Sequence, residues 1–271
     1  THSNLVISTE MQNAWTMMGD EPILKVGDET MLLVLPLFHI YALSPCFLRS
    51  VDCGWHVVLH PRFDAATVLK DLVDRKVTIF PGVPTIYNAI NNCADTPKYD
   101  LSSLKVCISG GAPLPVEVKK VFESVAGCSL VEGYGLSEAS PVVTCNPIGG
   151  LVKAGSIGLP LEDTVVEIRS LEDPEKKLGT GETGEICVAG PQVMAGYWQR
   201  QEESRKTIRD GLLHTGDVGY IDEDGYIFLV DRVKDLILCG GYNVYPRAVE
   251  EAIYLHPDVA EVTVVGVPDS Y

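Results

Sequence analysis

The sequence predicts an α/β fold: a parallel sheet covered by helices, followed by a small antiparallel β-barrel-like subdomain and the start of a truncated α/β module. Three observations lead there. From about Met31 to Leu130, short apolar runs rich in β-branched residues alternate with segments whose apolar residues recur at helical spacing. Such alternation implies parallel strands joined by crossover helices. After Pro147 the chain turns to short strands punctuated by glycine and acidic residues. Beyond Arg232 a strand, a turn, a helix and a strand follow before the chain stops at Tyr271. The corresponding units are residues 1–147, 148–231 and 232–271.

In the first unit, "TMLLVLPLF" (30–38), "WHVVLH" (55–60), "VTIFPGV" (77–83) and "LKVCISG" (104–110) read as buried strands. Between them, "DAATVLKDLVDRK" (64–76) and "PVEVKKVFESVAG" (115–127) have helical periodicity, and "PTIYNAINNCA" (84–94) adds a helix with Pro84 in its first turn. "CSLV" (128–131) is one more strand. In the second unit, "GSIGLPLEDTVVEIRS", "GETGEICVAG" and "HTGDVGYIDEDGYIFLVDR" are strands of an antiparallel sheet or barrel, with "DEDG" (222–225) a hairpin turn. The third unit opens with "VKDLIL", a Gly-Gly turn, a helix from Pro246 and the strand "VTVVGV". Thr1 is not a start methionine and that last strand has nothing to pair with, so both ends read as cuts.

Lysine and arginine number 21 against 37 acidic residues, a formal charge of −16. So negative a surface disfavours nucleic acid and anionic lipid, and a polyanionic ligand would need a metal ion and a few placed cations. The longest strongly apolar run, Met31 to Phe38, is far short of the roughly 20 residues that span a bilayer. No signal peptide is read. The eight cysteines form no CxxC pair and no zinc-spaced cluster, and most fall in apolar, strand-like runs, which reads as buried reduced thiols of a cytoplasmic protein. His2, His56, His60, His214 and His256 show no ligand spacing.

The stretch "VEGYGLSEASP" (131–141) is the densest in chemistry. It sits where an α/β sheet presents its ligand-binding turns. Gly133 and Gly135 admit close backbone approach, Tyr134 offers a flat face, Ser137 a hydroxyl, and Glu138 a hard oxygen suited to magnesium. A dinucleotide fingerprint fails because Glu138 stands at its third glycine. The alternative reading is a plain strand-to-loop turn. "SGGAPLP" (109–115) ends a strand and its amides could face a base or phosphate, although αβ loops are often glycine-rich. In "HTGDVG", Asp217 could accept two hydrogen bonds from a ribose, or be a solvated turn aspartate. Arg232 and Lys234 could serve a nucleotide's sugar or phosphate, or form a surface charge cluster. His39 reads as lining a pocket, since no nucleophile motif accompanies it.

In this order, "PLFHIYAL", "VPTIYNAI", "SGGAPLP", "EGYGLSEASP", "GEICVAGPQVMAGYW", "HTGDVGYIDEDGYIFLVDRVKDLILCGGYNVYP" and "VVGVPD" resemble the adenylate-forming enzymes, specifically acyl-CoA synthetases of the fatty-acid ligase type. The resemblance implies ATP-dependent activation of a carboxylate to an acyl-adenylate, followed by thioester formation with coenzyme A, with Mg2+ as the metal. It implies that Tyr134 packs on adenine with the backbone of Gly110, Gly111, Ala112 and Pro113, within a nucleotide-binding stretch that includes Glu132, Gly133, Gly135 and Leu136. Ser137 takes a phosphate-side role, Glu138 holds magnesium, Asp217 binds the ribose hydroxyls with Arg232 beside them, and Lys234 is a hinge. Gly240 and Gly241 lie towards the pantetheine arm.

Leu238, Gly240 and Ala42 depart from the phenolic-acid branches, which favours a fatty acid packed near His39, Tyr41, Val83 and Pro84. The family's phosphate loop ending in lysine and its carboxy-terminal catalytic lysine are not found in the sequence, so little adenylation activity is expected of these 271 residues alone. An adenylation domain loading a carrier protein, and a non-catalytic nucleotide-binding protein, are the competing readings.

Overall fold

Thr1 supplies what a helix start needs. Its hydroxyl accepts from the Asn4 amide at 3.3 Å and the Asn4 side chain returns the bond, so helix α1 spans His2–Thr16. Sequence periodicity missed this helix for a physical reason: its buried face consists of Ser8, Thr9, Met11, Gln12 and Thr16, mostly polar. The computed structural model describes the whole chain apart from residues 18–21, 240–241, 255, 257, 260–261 and 269–271.

Strand β1 (Thr30–Leu33) follows, then a π-helical segment (Ala42–Leu48) that runs straight into α2 (Arg49–Asp52), and β2 (His56–Leu59). Helix α3 (Ala65–Asp74) is capped by Asp64, whose carboxylate accepts from the Thr67 amide at 2.9 Å. Then come β3 (Ile79–Gly82), α4 (Pro84–Asn91), β4 (Val106–Ser109), α5 (Val116–Ala126) and β5 (Leu130–Gly135). The expected parallel sheet is present, in the order β2-β1-β3-β4-β5. Its core is knitted by the rings of Phe80, Tyr87 and Phe122, with centroids 5.7 and 4.8 Å apart in edge-to-face contact.

The two halves meet in β5. Up to Glu132 it pairs parallel with β4; from Gly133 it pairs antiparallel with β6 (Val142–Cys145), which in turn pairs with β7 (Ser156–Pro160). Thereafter β8 (Val165–Arg169), β9 (Gly184–Ala189), helix α6 (Gln201–Thr207), β10 (Ile208–Arg209), β11 (Leu212–Ile221) and β12 (Ile227–Arg232) complete the antiparallel part. Among the described residues twelve strands form one sheet, which continues from β7 through β12, β11 and β9 to β8, with β10 on β11. The strand path is open: β8 pairs with β9 and no described strand closes it back, so closure into the expected barrel is not seen among the described residues. Past a short 3-10 turn (Val233–Asp235), β13 (Ile237–Cys239) and β14 (Tyr242–Val244) make a two-stranded hairpin and α7 (Pro246–Tyr254) returns onto β12. The Arg247 guanidinium ties it there by donating to the Leu229 carbonyl at 2.8 Å. Residues 262–268 carry no strand, because no described segment offers them a ladder partner.

No described helix is long and apolar enough to cross a membrane. All eight cysteines are free, but only Cys107, Cys145, Cys187 and Cys239 lie in strands; Cys46 sits in the π-helical segment, while Cys53, Cys93 and Cys128 are in connections.

Candidate functional site

The stretch 132–135 is strand and not turn, and this decides where its side chains go. Gly133 faces Cys145 and Tyr134 faces Thr144 across the hairpin, with a register shift before Gly135. A Cβ on Gly135 would lie 2.2 Å from the Pro141 carbonyl oxygen, so that glycine is required by the neighbouring backbone. Gly133 is different: its nearest neighbour would be at 3.5 Å.

Tyr134, half-buried, reaches the antiparallel half, where its hydroxyl donates to Asp217 Oδ2 at 2.6 Å. Asp217 pairs in register with Arg232 across β11 and β12, and Arg232 Nε donates to its other oxygen at 3.1 Å. The hairpin turn foreseen at 222–225 starts this pairing: Asp222 accepts from the amides of Asp224 and Tyr226 at 3.0 and 2.8 Å, and Gly225 takes φ +83°; a bulge between Val218 and Gly219 then shifts the register so that Asp217 meets Arg232. Asp217 is 6% exposed. Burial pushes its carboxyl above the ordinary aspartate range, against the Tyr134 hydroxyl and the Arg232 guanidinium, which favour the charged form. Burial, and then the Asp217 carboxylate, hold the Tyr134 phenol well above its usual value, so it stays a donor. A buried acceptor is thus held beside an aromatic face and a mostly exposed cation.

The turn before Asp217 is itself braced. Glu185 accepts from the Gly216 amide at 3.0 Å and faces His214 Nδ1 at 2.8 Å, and Cys187 Sγ lies 3.4 Å from the same nitrogen. These three could ligate a metal, although no ligand spacing was visible in the sequence: they are 27 and 29 residues apart and meet only through the β9–β11 pairing. Here they act as a hydrogen-bonded brace.

Glu138 follows in a 3-10 turn (Ser137–Ala139) with Ser137 exposed beside it. Its carboxylate accepts from the Tyr197 hydroxyl at 2.7 Å, and its carbonyl accepts from the Met194 amide at 2.7 Å. Tyr197 was not singled out in the sequence; it stands 59 residues away and nothing local links the two.

Between β3, β4 and β5 on one side and α1 with the π-helical segment on the other lies an apolar cavity. Its lining includes His39, Tyr41, Gly110, Gly111, Gly133, Tyr134 and Gly135 from the sequence-derived set. His39 is exposed and its Nδ1 accepts from the Tyr41 amide at 3.2 Å. Tyr41 donates to the Ile108 carbonyl at 2.8 Å, and its ring would be 3.2 Å from a Cβ at position 110. Ala112 and Pro113 are exposed on the loop beyond. Glu132 is turned elsewhere, accepting from the Leu114 amide at 3.2 Å and so pinning the end of the glycine loop. Leu136 packs into the antiparallel core. Val83 and Pro84 begin α4; Pro84 is buried and Val83 flanks Gly111, and neither lines the cavity. Lys234 is exposed in the 3-10 turn after Arg232. Gly240 and Gly241 lie outside the described residues. The cavity also takes in Trp15, Thr16 and Arg49, which sequence reading passed over because α1 went unseen.

A family model described as AMP-binding enzyme matches residues 1–198. A long-chain-fatty-acid–CoA ligase of Bacillus subtilis (strain 168) is 50% identical over 271 residues, covering 100% of this chain and 47% of that protein. The crystal structure of ATP-bound MatB from Rhodopseudomonas palustris superposes with a TM-score of 0.91 at 30% identity, over 100% of this chain and 52% of that one. The O-succinylbenzoate coenzyme A synthetase MenE of Bacillus subtilis, in complex with ATP and magnesium ion, gives 0.84 at 31% identity, over 100% of this chain and 54% of its own. This chain therefore spans about half the length of the relatives it matches.

Proposed function

The chain belongs to the AMP-binding enzyme family, and from that premise we propose that it supplies the nucleotide- and acyl-binding half of an ATP-dependent fatty-acid–CoA ligase. The observation that carries this reading is the meeting of Tyr134, Asp217 and Arg232, distant in sequence, at one buried carboxylate with bonds of 2.6 and 3.1 Å. Asp217 has the right character for ribose: a short, desolvated carboxylate with two oxygens, held by its own amide's 3.0 Å bond to Thr215 Oγ1. Tyr134 offers its ring face to the base, and the backbone at Gly110 and Gly111 approaches from β4. Arg232, 59% exposed in its side chain, can follow the sugar or phosphate oxygens.

In the adenylation half-reaction a carboxylate oxygen attacks the α-phosphoryl group and pyrophosphate leaves; thioester formation then releases AMP. Glu138 fits Mg2+: a half-buried carboxylate on the same loop, with one oxygen bonded to a neutral phenol and no cation paired to it among the described residues. The ion would offset charge on the phosphoryl oxygens. This chain's residues bind and orient, and none serves as a covalent nucleophile. The apolar cavity behind His39 and Tyr41 suits an acyl chain. Lys234 is assigned the hinge, and residues 148–231 and 232–271 a β-rich subdomain and a mobile carboxy-terminal part. Eight free cysteines fit a reducing, cytoplasmic setting.

Titration calorimetry with AMP tests the site. Micromolar to millimolar binding by the wild type, weakened by about tenfold or more in Asp217→Ala, is the expected result. Equal affinity in both would remove Asp217 from the site and with it the reading.

A further inference from the structure

Part of the cavity's lining is not apolar. Arg49 lines it and is 4% exposed. It opens α2 directly after the π-helical segment that Tyr41 caps, and Tyr41 and His39 line the same cavity. Its Nε donates to Asn13 Oδ1 at 2.7 Å, its Nη2 donates to Thr16 Oγ1, and its guanidinium stacks 4.9 Å from the Trp55 ring centroid. Every one of these partners is neutral. Among the described residues no carboxylate pairs with it; Asp52 is reached only through Asn13, whose Nδ2 donates to Asp52 Oδ2 at 2.8 Å. Burial pulls this guanidinium down to about 10.

Fully buried arginines are rare unless paired, because the desolvation of an uncompensated charge is expensive. Guanidinium has five N–H donors, and two are used here. A second donor belongs to the same lining: the Trp15 indole N–H is buried with no oxygen or nitrogen acceptor, and its neighbour is the weakly accepting Cys145 sulfur. A cavity meant for a methyl-terminated chain gains nothing from unspent donors and a buried cation in its lining.

The geometry points to a subsite for a second carboxylate, so that the preferred substrates are ω-carboxy acids, with one carboxylate at the His39 mouth and the other on Arg49. This rests on the acyl-binding reading of the cavity and specifies its substrate class. Recognition would be by charge-assisted hydrogen bonds from the guanidinium, supplemented by the Trp15 N–H.

The test compares dodecanoic with dodecanedioic acid, titrated into the protein and followed by fluorescence of Trp15 and Trp55, which flank Arg49. The wild type is expected to bind the diacid about tenfold or more tightly than the monoacid. Arg49→Met should bring that ratio to near one, and Arg49→Lys, which keeps the charge, should retain part of it. Circular dichroism establishes that each variant is folded; if Arg49→Met is not, the wild-type ratio and Arg49→Lys decide. A wild type that binds the monoacid as well as the diacid, or variants that keep the full preference, overturn the subsite while leaving the acyl cavity standing. Binding of neither acid overturns both.

Discussion

Replacing Tyr134 with phenylalanine separates two roles that its ring and its hydroxyl play. The hydroxyl donates to Asp217 Oδ2 at 2.6 Å, a short O–H···O⁻ bond to a carboxylate that is 6% exposed. Hydrogen bonds to charged groups contribute about 1.5–3 kcal/mol, so Tyr134→Phe should lower unfolding stability by that amount, or about 2–4 °C in Tm for each kcal/mol at this size. The same oxygen is where a ribose hydroxyl would bind, and there the phenol is a competitor. The variant keeps the aromatic face and loses the competitor, so AMP affinity should equal or exceed the wild-type value while stability falls. Combining it with Asp217→Asn should cost less than the sum of the two stability losses, since both remove one contact. Thermal denaturation and calorimetry with AMP on the four proteins decide it. If Tyr134→Phe weakened AMP as much as Asp217→Ala does, the phenol–carboxylate bond would have to be part of the nucleotide-bound site, and the competition argument would fail.

Asp217 also predicts a pH dependence. Its folded pKa is raised above the unfolded value of about 3.9, so the folded state holds the proton longer, and stability declines as pH rises from there through the folded value and then levels. Asp217→Asn should flatten that part of the Tm-versus-pH curve; a curve parallel to wild type would show that Asp217 does not titrate abnormally. In a complete ligase, Tyr197→Phe should raise the Mg2+ concentration for half-maximal AMP release a few-fold by removing the hydrogen bond that orients the Glu138 carboxylate, whereas Glu138→Gln should lower the maximal rate; an unshifted Mg2+ curve for Tyr197→Phe would dissociate the phenol from the metal site. The two glycines around Tyr134 should behave oppositely. Gly135→Ala forces a Cβ to within 2.2 Å of the Pro141 carbonyl and should cost about 3 kcal/mol or more, while Gly133→Ala, with 3.5 Å of room, should leave stability within about 1 kcal/mol. Similar chemical-denaturation midpoints for the two would contradict the geometry.

The parallel half was legible because its signals are local. Four-residue strands between amphipathic helices, Asp64 at an N-cap and Pro84 at a first helical turn are each readable within a dozen residues. The DEDG turn was readable too, but the bulge between Val218 and Gly219 that brings Asp217 opposite Arg232 was not. Barrel closure was not legible: short alternating strands specify antiparallel pairing but say nothing about closure, which depends on whether the last strand finds the first, and no described strand does. EGYG was read as a turn because glycines punctuate turns, yet here they allow a strand to pass from one partner sheet to another beside the Pro141 carbonyl.

What stayed hidden was polar and long-range. Glu185 and His214 are brought together by the β9–β11 pairing, Tyr197 and Glu138 by a connection folding back onto a 3-10 turn, and no pattern in one segment encodes the other. Helix α1 escaped for a related reason. Its buried side presents Ser8, Gln12 and Thr16, and a helix that buries hydrogen-bonding groups has no apolar stripe to detect. Burying such a face is unfavourable unless the groups have partners: the Gln12 amide donates to the Ser8 carbonyl at 2.9 Å, and Thr16 accepts from Arg49. Once α1 is in place, Arg49 can be tolerated within an otherwise apolar cavity, because neutral acceptors meet its N–H groups while leaving its charge uncancelled. The same polar face that concealed the helix from a periodicity argument is therefore what allows a cation to sit where a substrate's far end would reach it.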